Sequence, residues 1–216
     1  MNKMKKYFIL PLVCFIFFSC QEDSKNDNKE VKTYIKENKS GSEQNIEVLF
    51  NETEFKDSES LALLKELGHG ICNIKEKDEE NYIHPPCSAK FFKFFAYKDH
   101  GSMKDAFILL IKARVHDFPL RRVYIYQREQ GKLVKVNSFV ANLIGKRKSK
   151  TGYQDLVLRF SDQDQNHFNC IYVWKNNHYE YNRVEAINDS KIKSEFQDSM
   201  NVEILKVIET NGMQNI

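Results

Sequence analysis

The chain has 216 residues, of which 33 are basic and 30 are acidic, so its formal net charge is +3. A charge this close to zero gives no reason to expect a general affinity for nucleic acid, which we exclude as a partner. The length is sufficient for one domain with a substantial hydrophobic core.

Residues 1–19 have the composition of a secretory signal. Three lysines precede a 12-residue apolar run over residues 7–18, and Ser19 and Cys20 follow. Because a helix that spans a membrane needs about 20 apolar residues, we expect the segment to be cleaved. Its removal would take away three lysines and no acidic residue, leaving 30 basic and 30 acidic residues and a net charge of zero.

The segment resembles the signal of bacterial lipoproteins, in which the cysteine becomes the acylated first residue of the mature chain. Phe17 and Phe18 depart from the commonest pattern, a departure often tolerated in lipoproteins of the Bacteroidota. Residues 21–23 are similar to the acidic stretch of their surface-exported members. The resemblance implies lipidation of Cys20 and a cell-envelope location, anchored to the outer membrane and facing the periplasm or the surface. The alternatives are an uncleaved anchor or a secretory signal with a chance cysteine.

Residues 20–45 are predicted to be the lipidated cysteine and a disordered tether. The only apolar members of residues 21–45 are Val31, Tyr34 and Ile35. Such a segment buries too little surface to offset the entropy lost on ordering. Residues 46–216 are predicted to form a single globular domain.

The domain is predicted to begin with an amphipathic helix. Leucines recur at spacing three from Leu61 to Leu67, Ser58 or Ser60 can act as the N-cap, and Gly68 stands at the C-cap.

Two His-x-x-Cys pairs follow the helix, His69 with Cys72 and His84 with Cys87. Together they could supply four zinc ligands. An exported protein meets an oxidising environment, where a Cys72–Cys87 disulfide would close a loop of about 15 residues and contribute roughly 3 kcal/mol. We therefore predict the disulfide and no metal, with free thiols and a zinc site as the alternatives.

Strand-forming residues dominate from residue 91 onward, where the apolar residues are rich in Phe, Tyr, Ile and Val. We interpret this region as two tandem three-stranded meanders that form one antiparallel sheet of six or more strands. The alternative is that the two regions are not a repeat, because any two all-β stretches look alike at this level. The predicted strands cover residues 91–97, 106–115, 122–128, 132–139, 155–160, 170–174 and 178–184, with turns at 130–131 and 176–177 and longer connections at 116–121 and 161–169.

Alternation along the hairpins places Tyr124 and Tyr126 on one face of the first hairpin, and Tyr172 and Trp174 on one face of the second. An open aromatic face made of these four residues is a candidate binding surface. The alternative is that they pack in the core.

The C-terminal region is predicted to be helical, from a cap at residues 188–190 through apolar positions at Ile192, Phe196 and Met200 to a stop at residues 211–212. The predicted fold class is therefore α+β, an antiparallel β-sheet flanked by N- and C-terminal helices.

The sequence contains no recognised catalytic motif. Cys170 is predicted to be buried and inert, with His167 on the opposite face of its strand. Asp105 and Asp155 occupy matching positions of the two meanders, where a turn role explains them as well as acid–base catalysis does. Residues 146–150 and 162–166 are predicted to be solvated loops, rather than an anion-binding or a calcium-binding segment.

The sequence thus favours a non-catalytic binding lipoprotein without a cofactor, held at the membrane through its lipid and binding an unknown protein or glycan. One alternative is an inhibitor or immunity-type lipoprotein of the periplasm. Another is a glycan- or lipid-processing hydrolase.

Overall fold

The computed structural model describes residues 36–37, 43–45, 57–73, 84–97, 102–115 and 118–215. All of these residues belong to one compact unit. The predicted signal and Cys20 lie outside the described residues. Within the described ranges, no helix has the length and apolar character needed to cross a membrane.

The described part of the chain contains two α-helices and twelve strands. Helix α1 spans Ser58–Leu67 and helix α2 spans Gln197–Thr210. The strands are β1 (Lys36–Glu37), β2 (Glu43–Asn45), β3 (Phe92–Phe95), β4 (Ala106–Val115), β5 (Phe118–Glu129), β6 (Lys132–Val140), β7 (Asn142–Arg147), β8 (Asp155–Ser161), β9 (His167–Lys175), β10 (His178–Ile187), β11 (Ser190–Lys191) and β12 (Gln214–Asn215).

The strands form two antiparallel sheets, so the α+β class is confirmed. The five-stranded sheet has the order β12-β6-β5-β4-β3, and the seven-stranded sheet has the order β1-β2-β7-β8-β9-β10-β11. Only Ala141 separates β6 from β7, and there the chain passes from one sheet to the other. The prediction of one sheet is therefore wrong. Both sheets carry apolar residues on two faces, and stacking them buries more of that surface than one open sheet would.

The main core lies between the two sheets and also takes in α2. One face of each sheet contributes alternate residues, as expected for strands whose side chains point to opposite faces in turn. The fully buried members are Tyr97, Ile108, Val123, Ile125, Phe139, Leu143, Leu156, Leu158, Phe160, Cys170, Tyr172, Tyr179, Val184 and Ile208.

A second core covers the other face of the five-stranded sheet. Leu63 of α1 packs there with Phe92, Phe107 and Tyr124. The disulfide segment joins the same cluster through Cys72. The order of layers is therefore α1 with the disulfide segment, then the five-stranded sheet, then the seven-stranded sheet.

Both helices begin at residues other than those predicted. Asp57 caps α1, because its carboxylate accepts a hydrogen bond of 2.7 Å from the Ser60 N–H. Gly68, with φ of 48°, ends α1 as predicted. Helix α2 starts only at Gln197, since Asn188 and Asp189 both have positive φ and form the two-residue turn between β10 and β11.

The strands also extend beyond their predicted bounds. Val115 pairs with Phe118, so most of the predicted connection at 116–121 belongs to β5. Residues 36–37 and 43–45, assigned to the tether, form β1 and β2, and β2 pairs with β7. A strand edge bonds through backbone N–H and C=O groups, so a polar segment can extend the sheet without apolar side chains.

Candidate functional site

An open cleft of about 290 Å³ lies where β6 passes into β7. Its walls come from both sheets, because β5 contributes one side and the β8–β9 hairpin contributes the other. The residues that line it are Arg121, Val140, Ala141, Asn142, Arg159, Ser161 and His167. Polar and basic side chains from four strands therefore meet at one place.

Arg159 is held in position by two hydrogen bonds. Its Nε donates to Asn169 Oδ1 at 2.8 Å, and its Nη2 donates to Asp189 Oδ1 at 2.5 Å. Asn169 lies directly opposite Arg159 in the β8–β9 register, and Asn142 lies opposite it in the β7–β8 register. The guanidinium is thus fixed in orientation, and Nη1 has no hydrogen-bond partner among the described residues.

Ser161 and His167 form a hydrogen-bonded pair at the end of the β8–β9 hairpin. Ser161 Oγ lies 2.7 Å from His167 Nδ1, and the two residues are directly opposite in register. The loop between them is closed by Asp162, whose carboxylate accepts hydrogen bonds from the Asn166 N–H at 2.8 Å and from Asn166 Nδ2 at 3.0 Å. The Asp162 carboxylate is therefore engaged within its own loop.

Two kinds of chemistry are compatible with this cleft. Arginine presents a planar set of N–H donors that matches the oxygens of a carboxylate, sulfate or phosphate. A serine within hydrogen-bond reach of a histidine is the geometry of an activated nucleophile. Anion binding uses Arg121 and Arg159, and nucleophilic attack would use Ser161 and His167.

The four aromatic residues predicted as a candidate surface all lie in the core. Tyr124 and Tyr126 belong to the cluster beneath α1, whereas Tyr172 and Trp174 belong to the cluster between the sheets. Burial raises the pKa of Tyr126 to about 12, and Tyr153 stacks on Trp174 with 4.5 Å between ring centres. The five-stranded sheet separates the two pairs, so they form no common face. The four residues pack in the core, which was the alternative to an open binding surface.

The predicted disulfide joins Cys72 to Cys87, with 5.1 Å between their Cα atoms. It links a buried residue under α1 to an exposed one, and the Asn73 N–H donates to the Pro85 carbonyl at 2.9 Å beside it. In the described ranges, no group of His, Cys, Asp and Glu could hold a metal ion.

Cys170 and the two candidate aspartates lie apart from one another. Cys170 is completely buried, and burial raises the pKa of its thiol, as predicted for an inert cysteine. His167 is on the opposite strand face, also as predicted. Asp105 is exposed in the turn before β4, whereas Asp155 is half-buried in the other sheet, so the two do not form a carboxylate pair.

The basic segment 146–150 is only partly a loop. Lys146 and Arg147 belong to β7, where Lys146 Nζ donates to the Ala96 carbonyl at 3.1 Å and Arg147 Nη1 donates to Glu185 at 2.6 Å. Lys148 and Lys150 are exposed, in agreement with the prediction of a solvated loop.

A second cleft lies between α1 and the turn before β4, and a clamp closes one side of it. Arg128 makes two hydrogen bonds to Glu66, of 2.8 and 2.9 Å, and further bonds to the carbonyls of Lys104 and Gly131. These bonds join α1 to the turn before β4 and to the β5–β6 turn, so the arginine here has a structural role.

Sequence reasoning missed Arg121, Arg159 and Ser161 as site residues. A local signal existed for Ser161, because Ser161 and His167 flank a polar loop and a hairpin there would place them opposite each other. No local signal pointed to the two arginines, since each belongs to a different sheet.

Comparison with family models, curated proteins and solved structures found no match to this chain.

Proposed function

We propose that this chain is a lipid-anchored protein of the bacterial cell envelope whose folded domain binds a ligand without transforming it. The cleft at the β6–β7 passage is the proposed binding site. One observation carries this choice: Arg121 and Arg159, from separate sheets, line the same open cleft as His167. The aromatic residues first considered as a binding surface are buried in the two cores. This cleft is therefore the stronger candidate for the binding site.

The proposed anchor is Cys20, and the N-terminal sequence supports it. The test is expression of the full chain in a bacterial host fed with a labelled fatty acid, beside the Cys20→Ser variant. The proposal expects label and membrane fractionation for the unchanged chain and neither for the variant. Protease treatment of intact cells then distinguishes the two orientations, since only a surface-facing domain is degraded.

Ligand binding is tested with the purified protein immobilised and exposed to separated glycan and protein fractions of the envelope. Retention of a component by the unchanged chain, and its loss in an Arg121→Gln/Arg159→Gln variant, supports the cleft. Retention of a hydrolase whose activity falls on binding would favour the inhibitor function instead. Equal retention by both proteins would rule out the cleft as the site.

The 2.7 Å contact between Ser161 Oγ and His167 Nδ1 favours a hydrolase as the second candidate. Ser161 Oγ would attack a carbonyl carbon while His167 takes its proton and passes it to the leaving alcohol, and water would then release the acyl group. We rank it second because no described carboxylate bonds to His167 Nε2 to orient the ring. Turnover of simple esters that disappears in Ser161→Ala would place it first.

We also propose that β4–β6 and β8–β10 are two copies of one three-stranded unit. In support, each unit is an antiparallel meander whose final hairpin turns through positive φ, at Gln130 and Gly131 in the first and at Asn176 and Asn177 in the second. Superposition of the two backbones, strand for strand, tests it. An alignment offset by one strand would contradict the repeat.

A further inference from the structure

The cleft between α1 and the turn before β4, which we call the α1 cleft, has the size of a ligand site. Its volume of about 530 Å³ lies within the roughly 300–1,000 Å³ typical of ligand clefts. One wall is a face of α1 that includes Ala62 and Leu63. Leu63 is 4% exposed and belongs to the core beneath α1, so the cleft reaches down to apolar side chains.

Side-chain bonds tie the two walls of the α1 cleft together at both ends. At one end, Ser102 Oγ donates to Glu59 Oε1 at 3.3 Å. At the other end, Arg128 donates to both carboxylate oxygens of Glu66, at 2.8 and 2.9 Å. Glu59 and Glu66 lie two helical turns apart on α1, which is about 10 Å along the helix axis. The walls are therefore held in place before a ligand arrives, which reduces the freedom lost on binding.

The charges that line the α1 cleft favour a cation. Glu66 and Arg128 form an ion pair and neutralise each other. Glu59 bonds to a neutral hydroxyl and keeps its charge, and the carboxylate of Asp105 makes no hydrogen bond to any described residue. Lys104 is the remaining cation among the described lining residues. Two carboxylates therefore stand against one ammonium group, which leaves an excess of negative charge that attracts cations.

An ammonium group on an aliphatic chain matches both properties of this cleft. Its N–H groups can donate charge-assisted hydrogen bonds to the carboxylates of Glu59 and Asp105. Its methylene groups gain by leaving water for the apolar surface of Ala62 and Leu63. A neutral apolar chain would gain only the second of these contributions, and a bare ammonium ion only the first.

We propose that the α1 cleft binds an alkylammonium group. Asp105 and Glu59 accept hydrogen bonds from its nitrogen, and its chain lies along Ala62 and Leu63. This site is separate from the cleft at the β6–β7 passage, so the inference goes beyond the proposed function. Free diamines and the lysine side chains of peptides share the required chemistry.

The test is calorimetric titration of the full chain, purified in a non-ionic detergent, with cadaverine, Nα-acetyl-lysine methylamide, Nα-acetyl-norleucine methylamide and ammonium chloride. We expect cadaverine or the lysine derivative to bind at least about tenfold more tightly than the neutral norleucine derivative and than ammonium. The first two probes distinguish a free diamine from a lysine side chain. Equal affinity for the norleucine derivative or for ammonium would overturn the proposal, and so would no binding of either amine.

Variants locate the site. Asp105→Asn removes one carboxylate at an exposed position and should weaken amine binding about tenfold. Ala62→Leu keeps every charge and suits a helix, but it fills the cleft and should also weaken binding. The control is Asp164→Asn, which makes the same change of charge in the exposed β8–β9 loop and should bind like the unchanged protein.

Two results with these variants would overturn the proposal. Equal weakening by Asp105→Asn and Asp164→Asn would show that amines respond to the overall charge of the protein. Unchanged affinity in both Asp105→Asn and Ala62→Leu would show that the amine binds outside the α1 cleft.

Discussion

The side-chain amide of Asn137 makes two hydrogen bonds with the backbone of Tyr179. Its Oδ1 accepts from the Tyr179 N–H at 2.7 Å, and its Nδ2 donates to the Tyr179 carbonyl at 3.0 Å. Asn137 belongs to β6 and Tyr179 to β10, so this pair joins the two sheets directly. Both residues are at most 1% exposed, and each polar group of the amide therefore needs its partner.

Asn137→Ala should be strongly destabilising, because it leaves the buried N–H and carbonyl of Tyr179 without their partners. We expect a loss of about 2–3 kcal/mol in the free energy of unfolding, measured in urea. The control is Asn182→Ala, at an exposed position of β10, which should change stability by no more than about 0.5 kcal/mol. Equal effects of the two substitutions would show that the amide does not hold the sheets together.

Reduction of the Cys72–Cys87 disulfide should destabilise the layer that contains α1. For a sequence separation of 15 between the two cysteines, the chain-entropy model gives about 3 kcal/mol. The measurement is urea unfolding with and without a reductant. The Cys72→Ala/Cys87→Ala variant is the control, and the reductant should leave its stability unchanged. A reductant effect of the same size in this variant would contradict the assignment.

Glu185 should stabilise the fold more at neutral pH than in acid. Burial opposes its ionisation, but hydrogen bonds of 2.6 Å from both Arg147 and Arg183 outweigh that effect and lower its pKa. Stability from a lowered carboxyl pKa is present above the pKa of the unfolded chain and is lost as the pH falls through the folded value. Glu185→Gln should therefore be more destabilising near about pH 7 than near about pH 3, as measured by urea unfolding at both.

Asp155 provides a matched comparison with Glu185, because its pKa is shifted in the opposite direction. Burial raises its pKa in spite of the Ser149 hydrogen bond and the nearby Arg183 and Arg147. A raised carboxyl pKa disfavours the folded state as the pH rises from the unfolded value through the folded value. The stability of Asp155→Asn relative to the unchanged protein should thus increase with pH. Parallel pH profiles for Asp155→Asn and Glu185→Gln would contradict both assignments.

Asn201 should anchor α2 to the irregular part of β10. Bulges at residues 181–183 and 184–186 interrupt the pairing of β10 with β9, and Asn201 Oδ1 accepts from the Val184 N–H at 3.0 Å and from Gln197 Nε2 at 3.0 Å. Asn201→Ala should cost about 1–2 kcal/mol in urea unfolding. Glu203→Ala, on the exposed side of the same helix, should cost much less, and a comparable loss there would argue against the anchor.

Local features of this fold could be predicted from the sequence. A run of strand-forming apolar residues identified β4 over its full length, and the pairs Gln130-Gly131 and Asn176-Asn177 identified two hairpin turns. The cysteine spacing and the secretory signal together predicted the disulfide. Each of these depends on interactions between residues that are near one another in the chain, and local sequence patterns report such interactions well.

Features that depend on the meeting of the two sheets could not be predicted in this way. The chain changes sheets at Ala141, a residue with no distinctive turn signal, and that change determines which faces are buried. It also brings Arg121 of one sheet to the same cleft as Arg159 of the other. The start of α2 was misplaced for a local reason, because residues 188–190 suit a helix cap and a tight hairpin turn equally well.

The most direct test of a lipid-anchored envelope protein is the intact mass of the protein purified from the membranes of expressing bacteria. We predict a chain that begins at Cys20 and carries the added mass of its acyl chains, and a Cys20→Ser variant without that mass. A membrane-derived chain that retains residues 1–19, or one with an unmodified Cys20, would contradict it.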